Sequence, residues 1–142
     1  MKIKIKYLSD KIEKLQKIEI GNWFDLRCTK ETALLKGESA LIPLGIAMQL
    51  PPNFEAHIAP RSSTFKNFHV LQTNTPGIVD SSYCGDEDEW KMSVLAMEDT
   101  IIHINDRICQ FRIVEKQPDI EFEEVETLGN KSRGGFGSTG IQ

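Results

Sequence analysis

Short alternations of apolar and polar residues recur along this chain, and no long 3.6-residue pattern competes with them. Residues 2–7 alternate Lys with apolar side chains. Residues 23–28 place Phe24, Leu26 and Cys28 on one side, and Phe54, Ala56 and Ile58 alternate with Glu55 and His57. Strand-like runs follow at 91–96, 100–104, 107–114 and 119–125. Side chains of period two line one face of a strand. Residues 40–50 are apolar but interrupted by Pro43 and Gly45, which predicts a buried, bent strand. Ile12, Leu15 and Ile18 lie three apart and fit either a short helix or an irregular loop. Many short strands punctuated by turns such as Pro51-Pro52-Asn53 predict an all-β sandwich or jelly roll. A chain of 142 residues is one domain by size. It shows no internal repeat and no linker. Composition shifts only near Leu128, which divides the chain into a β domain at 1–128 and a terminal arm at 129–142.

Net charge is −4, which argues against general duplex binding, a role that needs a basic footprint. A nucleotide pocket stays open, since a few arginines and a metal offset phosphate charge locally. No apolar run reaches membrane-spanning length and the N-terminus has no signal-peptide core, so a cytoplasmic protein is expected. Cys28, Cys84 and Cys109 are odd in number and lack C-x-x-C spacing. They read as free, mostly buried thiols rather than zinc ligands.

Three stretches carry candidate chemistry. The tail Arg133-Gly134-Gly135-Phe136-Gly137-Ser138-Thr139-Gly140 surrounds one ring and two hydroxyls with glycine. Glycine costs folding entropy and packs no core, but it lets backbone wrap a ligand. Backbone N–H groups, hydroxyls and Arg133 suit phosphate, and Phe136 offers a face to a base. A plain exposed tail is the competing reading. In Pro60-Arg61-Ser62-Ser63-Thr64 an arginine and three hydroxyls follow a predicted strand, which suits a phosphate grip or simply a polar turn. In the segment 74–85, Pro76-Gly77 marks a turn and Asp80 follows two β-branched residues, at the mouth of a strand. Asp80 there can act on water as a base, Asn74 can read a base edge, and Tyr83 can pack against a sugar. Turn formation and core packing are the simpler readings of the same residues. The run Asp86-Glu87-Asp88-Glu89 lacks ordered ligand spacing and reads as a solvated loop rather than a metal site. His57, His69 and His103 have no evident partner in the sequence.

Taken in order, five segments resemble the motifs of the trimeric dUTP nucleotidohydrolase (dUTPase) family. They are Gly21–Leu26, Ala59–Ser63, Gly77–Gly85, Asp106–Phe111 and Arg133–Gly140. Single motifs are weak; five in order with compatible spacing are specific. The wording of 61–68 is similar to the phage-related branch of Gram-positive bacteria. Three departures stand out. Ser63 replaces a usual glycine, Asn22-Trp23-Phe24 is bulkier than usual, and an acidic insertion with Trp90 follows Gly85.

The resemblance implies a distorted jelly-roll (β-clip) subunit with a flexible glycine-rich arm, in a homotrimer with active sites between subunits. It implies hydrolysis of dUTP to dUMP and pyrophosphate with Mg²⁺ as cofactor. Asp80 would be the base. Arg61, Ser62, Ser63 and Gln110 would hold phosphates. Asn74, Gly77 and Val79 would read uracil through main-chain groups, and Tyr83 would pack under deoxyribose. Arg133, Phe136, Gly137, Ser138 and Thr139 would close over the substrate from a neighbouring subunit. No direct side-chain metal ligand is implied; Asp25 would act on the metal's waters, and Arg107 would be structural, pairing across the trimer. Two alternatives share the fold. A dCTP deaminase needs a glutamate in the strand after the third motif, and 91–96 has none. A phage-type regulatory module would use a protein partner, for which the 86–90 loop is a surface.

Overall fold

The computed structural model describes residues 1–142. Strands hold 36% of them and helix 4%, so the chain is all-β. In chain order the strands are β1 (Lys4–Tyr7), β2 (Phe24–Arg27), β3 (Thr32–Leu34), β4 (Ser39–Pro43), β5 (Ile46–Gln49) and β6 (Phe54–Pro60). After the five-residue helix α1 (Thr64–Phe68) come β7 (Val70–Gln72), β8 (Gly77–Val79), β9 (Lys91–Ala96), β10 (Thr100–Ile102) and β11 (Arg107–Glu115). A four-stranded sheet runs β2-β11-β6-β8 and a three-stranded sheet β4-β9-β7, with β1-β5 and β10-β3 as separate pairs. Every pairing is antiparallel, in the expected distorted jelly-roll class. No helix is long and apolar enough to cross a membrane.

The inward residues of these strands meet in one core of 20 buried side chains, among them Leu26, Ile42, Ile46, Met92, Val94 and Ile108. Trp90 is buried at its centre, edge-on to Phe111 at 5.2 Å, and Phe24 stacks on the same ring at 5.5 Å. A buried tryptophan directly after the acidic run anchors that loop to the core, through one of the largest apolar surfaces a side chain can offer.

The apolar stretch 40–50 is two strands in two sheets rather than one bent strand. Gly45 makes the corner at φ +70°, a conformation that L side chains rarely adopt. A Cβ there would collide with the Thr29 side chain. Residues 12–18 form neither helix nor strand. They lie as a strap, fixed by the Glu13–Arg27 ion pair at 2.7 Å and by the Leu15 N–H donating to the Tyr7 hydroxyl at 2.9 Å. The alternating run 119–125 forms no strand, contrary to expectation. From Glu115 to the C-terminus every residue is exposed, so the extended tail begins ahead of the compositional shift at Leu128. Cys28 and Cys109 are buried, Cys84 is exposed, and all three are free. Burial raises the pKa of both buried thiols, most strongly that of Cys109, which disfavours their reactive thiolate forms.

Candidate active site

Register in the four-stranded sheet brings the first group of candidates together. On the outward face Gln110 of β11 stands between Asp25 of β2 and Ala59 of β6. The chain then turns out of β6 at Pro60, which places Arg61 over that row. The Arg61 Nε meets Asp25 Oδ1 at 3.0 Å, and Arg107 Nη1 meets Asp25 Oδ2 at 3.3 Å. Arg107 thus pairs with Asp25 of its own chain, and its side chain stays 50% exposed. Asp25 keeps a side-chain exposure of 14% and fixes Arg61 by a charge-assisted contact. The Arg61 Nη1 also donates to the Arg107 carbonyl at 3.1 Å, and Gln110 Nε2 donates to the Pro60 carbonyl at 3.0 Å.

A fully buried threonine ties the loop down from below. The Arg61 N–H donates to Thr64 Oγ1 at 2.8 Å, and that hydroxyl donates to the Ile108 carbonyl at 2.9 Å. Sequence patterns did not single out Thr64 as a positioning group; its place directly after Arg-Ser-Ser was the available signal. Ser62 is exposed, and Ser63 sits at φ −95°, a right-handed conformation open to any residue. The departure from glycine at 63 therefore costs no backbone strain. The Ser63 hydroxyl makes no capping bond to α1.

The second group lies along β8. Gly77 pairs with Ile58 and Val79 with Ala56, so Asp80 emerges beside the Glu55 end of β6. Val79 points into the core, leaving its main chain to face outward partners. Asp80 directly follows β8, at the mouth of a strand as the sequence predicted, and is exposed. The Ser82 N–H donates to Asp80 Oδ1 at 2.8 Å. Hydrogen bonds from the Ser82 backbone and then its side chain hold the Asp80 carboxyl below the usual range, with Lys116 adding a smaller effect. Asp80 is thus ionised throughout neutral pH and better suited to orienting water than to holding a proton. A ¹³C NMR titration of the Asp80 carboxyl should show a midpoint below the ordinary value of about 3.9, shifted upward in Ser82→Ala. A midpoint at or above the ordinary value would remove this account of the carboxylate.

Tyr83 is 41% exposed and so is not a core residue. Its hydroxyl donates to the Glu89 carbonyl at 2.8 Å, which holds the ring across the loop. Partial desolvation, then Asp88 and Glu89, raise its pKa. The acidic run is only partly solvated. Asp88 Oδ2 accepts from the Gly85 N–H at 2.7 Å, and Glu89 Oε2 accepts from the Gly45 N–H at 3.1 Å. Two of the histidines have carboxylate neighbours that the sequence did not reveal: His57 with Glu55 at 2.6 Å and His103 with Glu31 at 3.0 Å.

The two groups do not meet within one chain. From Glu55 to Arg61, at ~3.3 Å per residue, the strand spans about 20 Å. Asp80 has Lys116 as its charged neighbour, at the far end of the sheet from Arg61. Arg133, Phe136, Gly137, Ser138 and Thr139 are exposed and meet neither group. Phe136 is fully exposed at φ +51°, among four glycines of positive φ.

The dUTPase family model matches residues 21–140, which take in both groups and the tail. The chain belongs to the dUTPase family. It is 53% identical to the SPbeta prophage-derived deoxyuridine 5'-triphosphate nucleotidohydrolase of Bacillus subtilis, over all of both chains. It is 36% identical to the deoxyuridine 5'-triphosphate nucleotidohydrolase of Helicobacter pylori, over 99% of this chain and 98% of that one. The dUTPase of Staphylococcus bacteriophage 80alpha, solved with dUpNHpp, superposes with a TM-score of 0.78 at 18% identity, covering 99% of each chain. The dUTPase of phage phi11 of S. aureus, solved with a structural Mg(II) ion, gives 0.76 at 15% identity over 90% of this chain and 99% of that one. At those identities the two solved structures speak to the dUTPase fold alone.

Proposed function

We propose that the protein hydrolyses dUTP to dUMP and pyrophosphate, with water attacking the α-phosphorus. The full-length identity to a deoxyuridine 5'-triphosphate nucleotidohydrolase carries this proposal. Such a reaction limits uracil in DNA and supplies dUMP. Three copies assemble, so that the Asp80–Tyr83 segment of one chain faces the Arg61–Gln110 row of another. The separation of the two groups within a chain supports that arrangement, because neither group alone holds both a water-directing carboxylate and a phosphate grip. The arm, 129–142, closes from a neighbouring copy; all its residues are exposed and its hydrogen bond to its own β domain (1–128), from the Gly129 N–H to the Thr127 hydroxyl, lies at its root, which leaves the rest free for that.

In this arrangement Asp80 orients the water, and its ionised state lets it accept the hydrogen bond that aims the oxygen lone pair at phosphorus. Arg61, preset by Asp25, with Ser62, Ser63 and Gln110, holds phosphate oxygens against developing charge. Main-chain groups at Asn74, Gly77 and Val79 meet uracil, and the Tyr83 ring packs on the sugar. From the arm, Phe136 covers the base, Arg133, Ser138 and Thr139 reach the terminal phosphate, and Gly137 lets the backbone approach.

No group of three or more His, Cys, Asp or Glu side chains converges in the chain. Both oxygens of Asp25 are engaged by arginines. That donor set fits a magnesium ion carried by triphosphate oxygens and water, with Asp25 reaching it only through water. Magnesium held there would supply positive charge against the phosphates as the displacement proceeds. The three unpaired thiols accord with work in the cytoplasm. A deaminase is disfavoured by β9, whose inward residues are Met92, Val94 and Ala96 and whose outward ones are Lys91, Ser93 and Leu95. Pyrophosphate release measured in parallel with dUTP, dCTP and dTTP tests the proposal. Rapid release from dUTP alone is expected; ammonia from dCTP, or no release from dUTP, would overturn it.

A further inference from the structure

The segment 74–79 rests on a buried amide that no motif includes. Gln72, at the end of β7, is 8% exposed. Its Nε2 donates to the Ile58 carbonyl of β6 at 2.9 Å and to the Asn74 carbonyl at 2.7 Å. The Thr75 hydroxyl donates back to the Gln72 main-chain carbonyl at 3.1 Å. Both groups facing the amide nitrogen are carbonyls, so the amide can present only its NH₂ to them, and its orientation is fixed. Its Oε1 is buried without a partner in the chain.

That asymmetry bears on what the residue does. A leucine of similar volume would leave no unpaired acceptor in the core, and burying an unpaired polar atom is costly. What the amide adds is control of two main-chain carbonyls, one in β6 and one in the turn that leads into β8. The contact beneath the segment is close. A Cβ on Gly77 would lie 3.1 Å from Gln72 Nε2 and 3.3 Å from Ile58 Cβ. Gln72 thus sets both the height of the 74–77 turn above β6 and the direction of the Asn74 peptide.

We infer that Gln72 is a positioning residue for base selection, which holds the 74–77 turn rigid enough to reject a pyrimidine carrying a 5-methyl group. This rests on the proposal above that this segment reads uracil. A wall excludes one methyl group only if it cannot yield, because an apolar pocket by itself discriminates such a group weakly. Two donated hydrogen bonds from a buried side chain supply that stiffness without touching the substrate.

The test compares wild type, Gln72→Leu and Gln72→Met by kcat/KM for dUTP and for dTTP, with magnesium present. Methionine keeps the reach and flexibility of the side chain and gives a folded alternative should leucine disturb the core. Ile42→Val, in the fully buried core away from the segment, controls for general loss of stability. Both Gln72 variants should lower the dUTP-to-dTTP ratio about tenfold, mainly through a raised kcat/KM for dTTP, while Ile42→Val leaves the ratio unchanged. Wild-type preference for dUTP retained in full by both variants would overturn the role of Gln72 and leave the substrate proposal standing. Wild-type protein inactive on dUTP would overturn both.

Discussion

Asp80→Asn should lower kcat on dUTP by about 10²–10⁴-fold, the range that a positioned base contributes, with nucleotide affinity little changed. The amide keeps the shape and the Ser82 contact but loses the charge that orders the water, so the loss falls on the chemical step. Arg61→Ala should also be severely impaired, through lost phosphate contact and an Asp25 left with one partner. The informative experiment is their co-expression. Each chain keeps the group that the other lacks, and the two groups lie at opposite ends of β6. With chains drawn at random from an equal mixture, about a quarter of interface sites would have Asp80 from one chain and Arg61 from the other. Activity should therefore return to roughly that fraction. No recovery above either single variant would mean that each site is built within one chain, and the proposed assembly would fail.

Deleting residues 131–142 should leave the β domain folded, because none of the core side chains comes from beyond Phe111. Turnover of dUTP should fall on the order of 10²–10³-fold, as when a preorganised set of donors is removed. The arm would bring Arg133, Ser138 and Thr139 to the terminal phosphate and exclude water, so its loss removes both grip and low dielectric. Phe136→Ala should be milder, raising KM more than it lowers kcat, since only the cover over the base is lost. Full activity of the truncated protein would show that the tail takes no part.

The longer strands were legible in sequence because period two survives wherever one face is buried, as in β6 and β9. Of the three-residue strands, β3 and β7 were not, and β8 was legible only by its end before Asp80. Thr32–Leu34 is too short to establish a period, β7 places a glutamine in the core, and β8 starts on a glycine that also signals a turn. The run 119–125 misled for the opposite reason: alternation describes a strand only where a partner strand exists. At the candidate site, residue types were legible and relationships were not. Arg61 and Asp80 stood out from their neighbours in sequence, yet the Asp25 clamp on Arg61 joins positions 36 apart, and the distance between the two groups depends on the register of β6 with β8.

That distance has a consequence for dosage. In the proposed assembly, a chain that holds only two unfinished halves would be inert when dilute, and its output would rise with more than the first power of its concentration until assembly is complete. Halving expression would then cost more than half of the activity in the dilute regime. A copy defective in both groups would subtract more than its own share, because it spoils two sites that its intact neighbours would have completed.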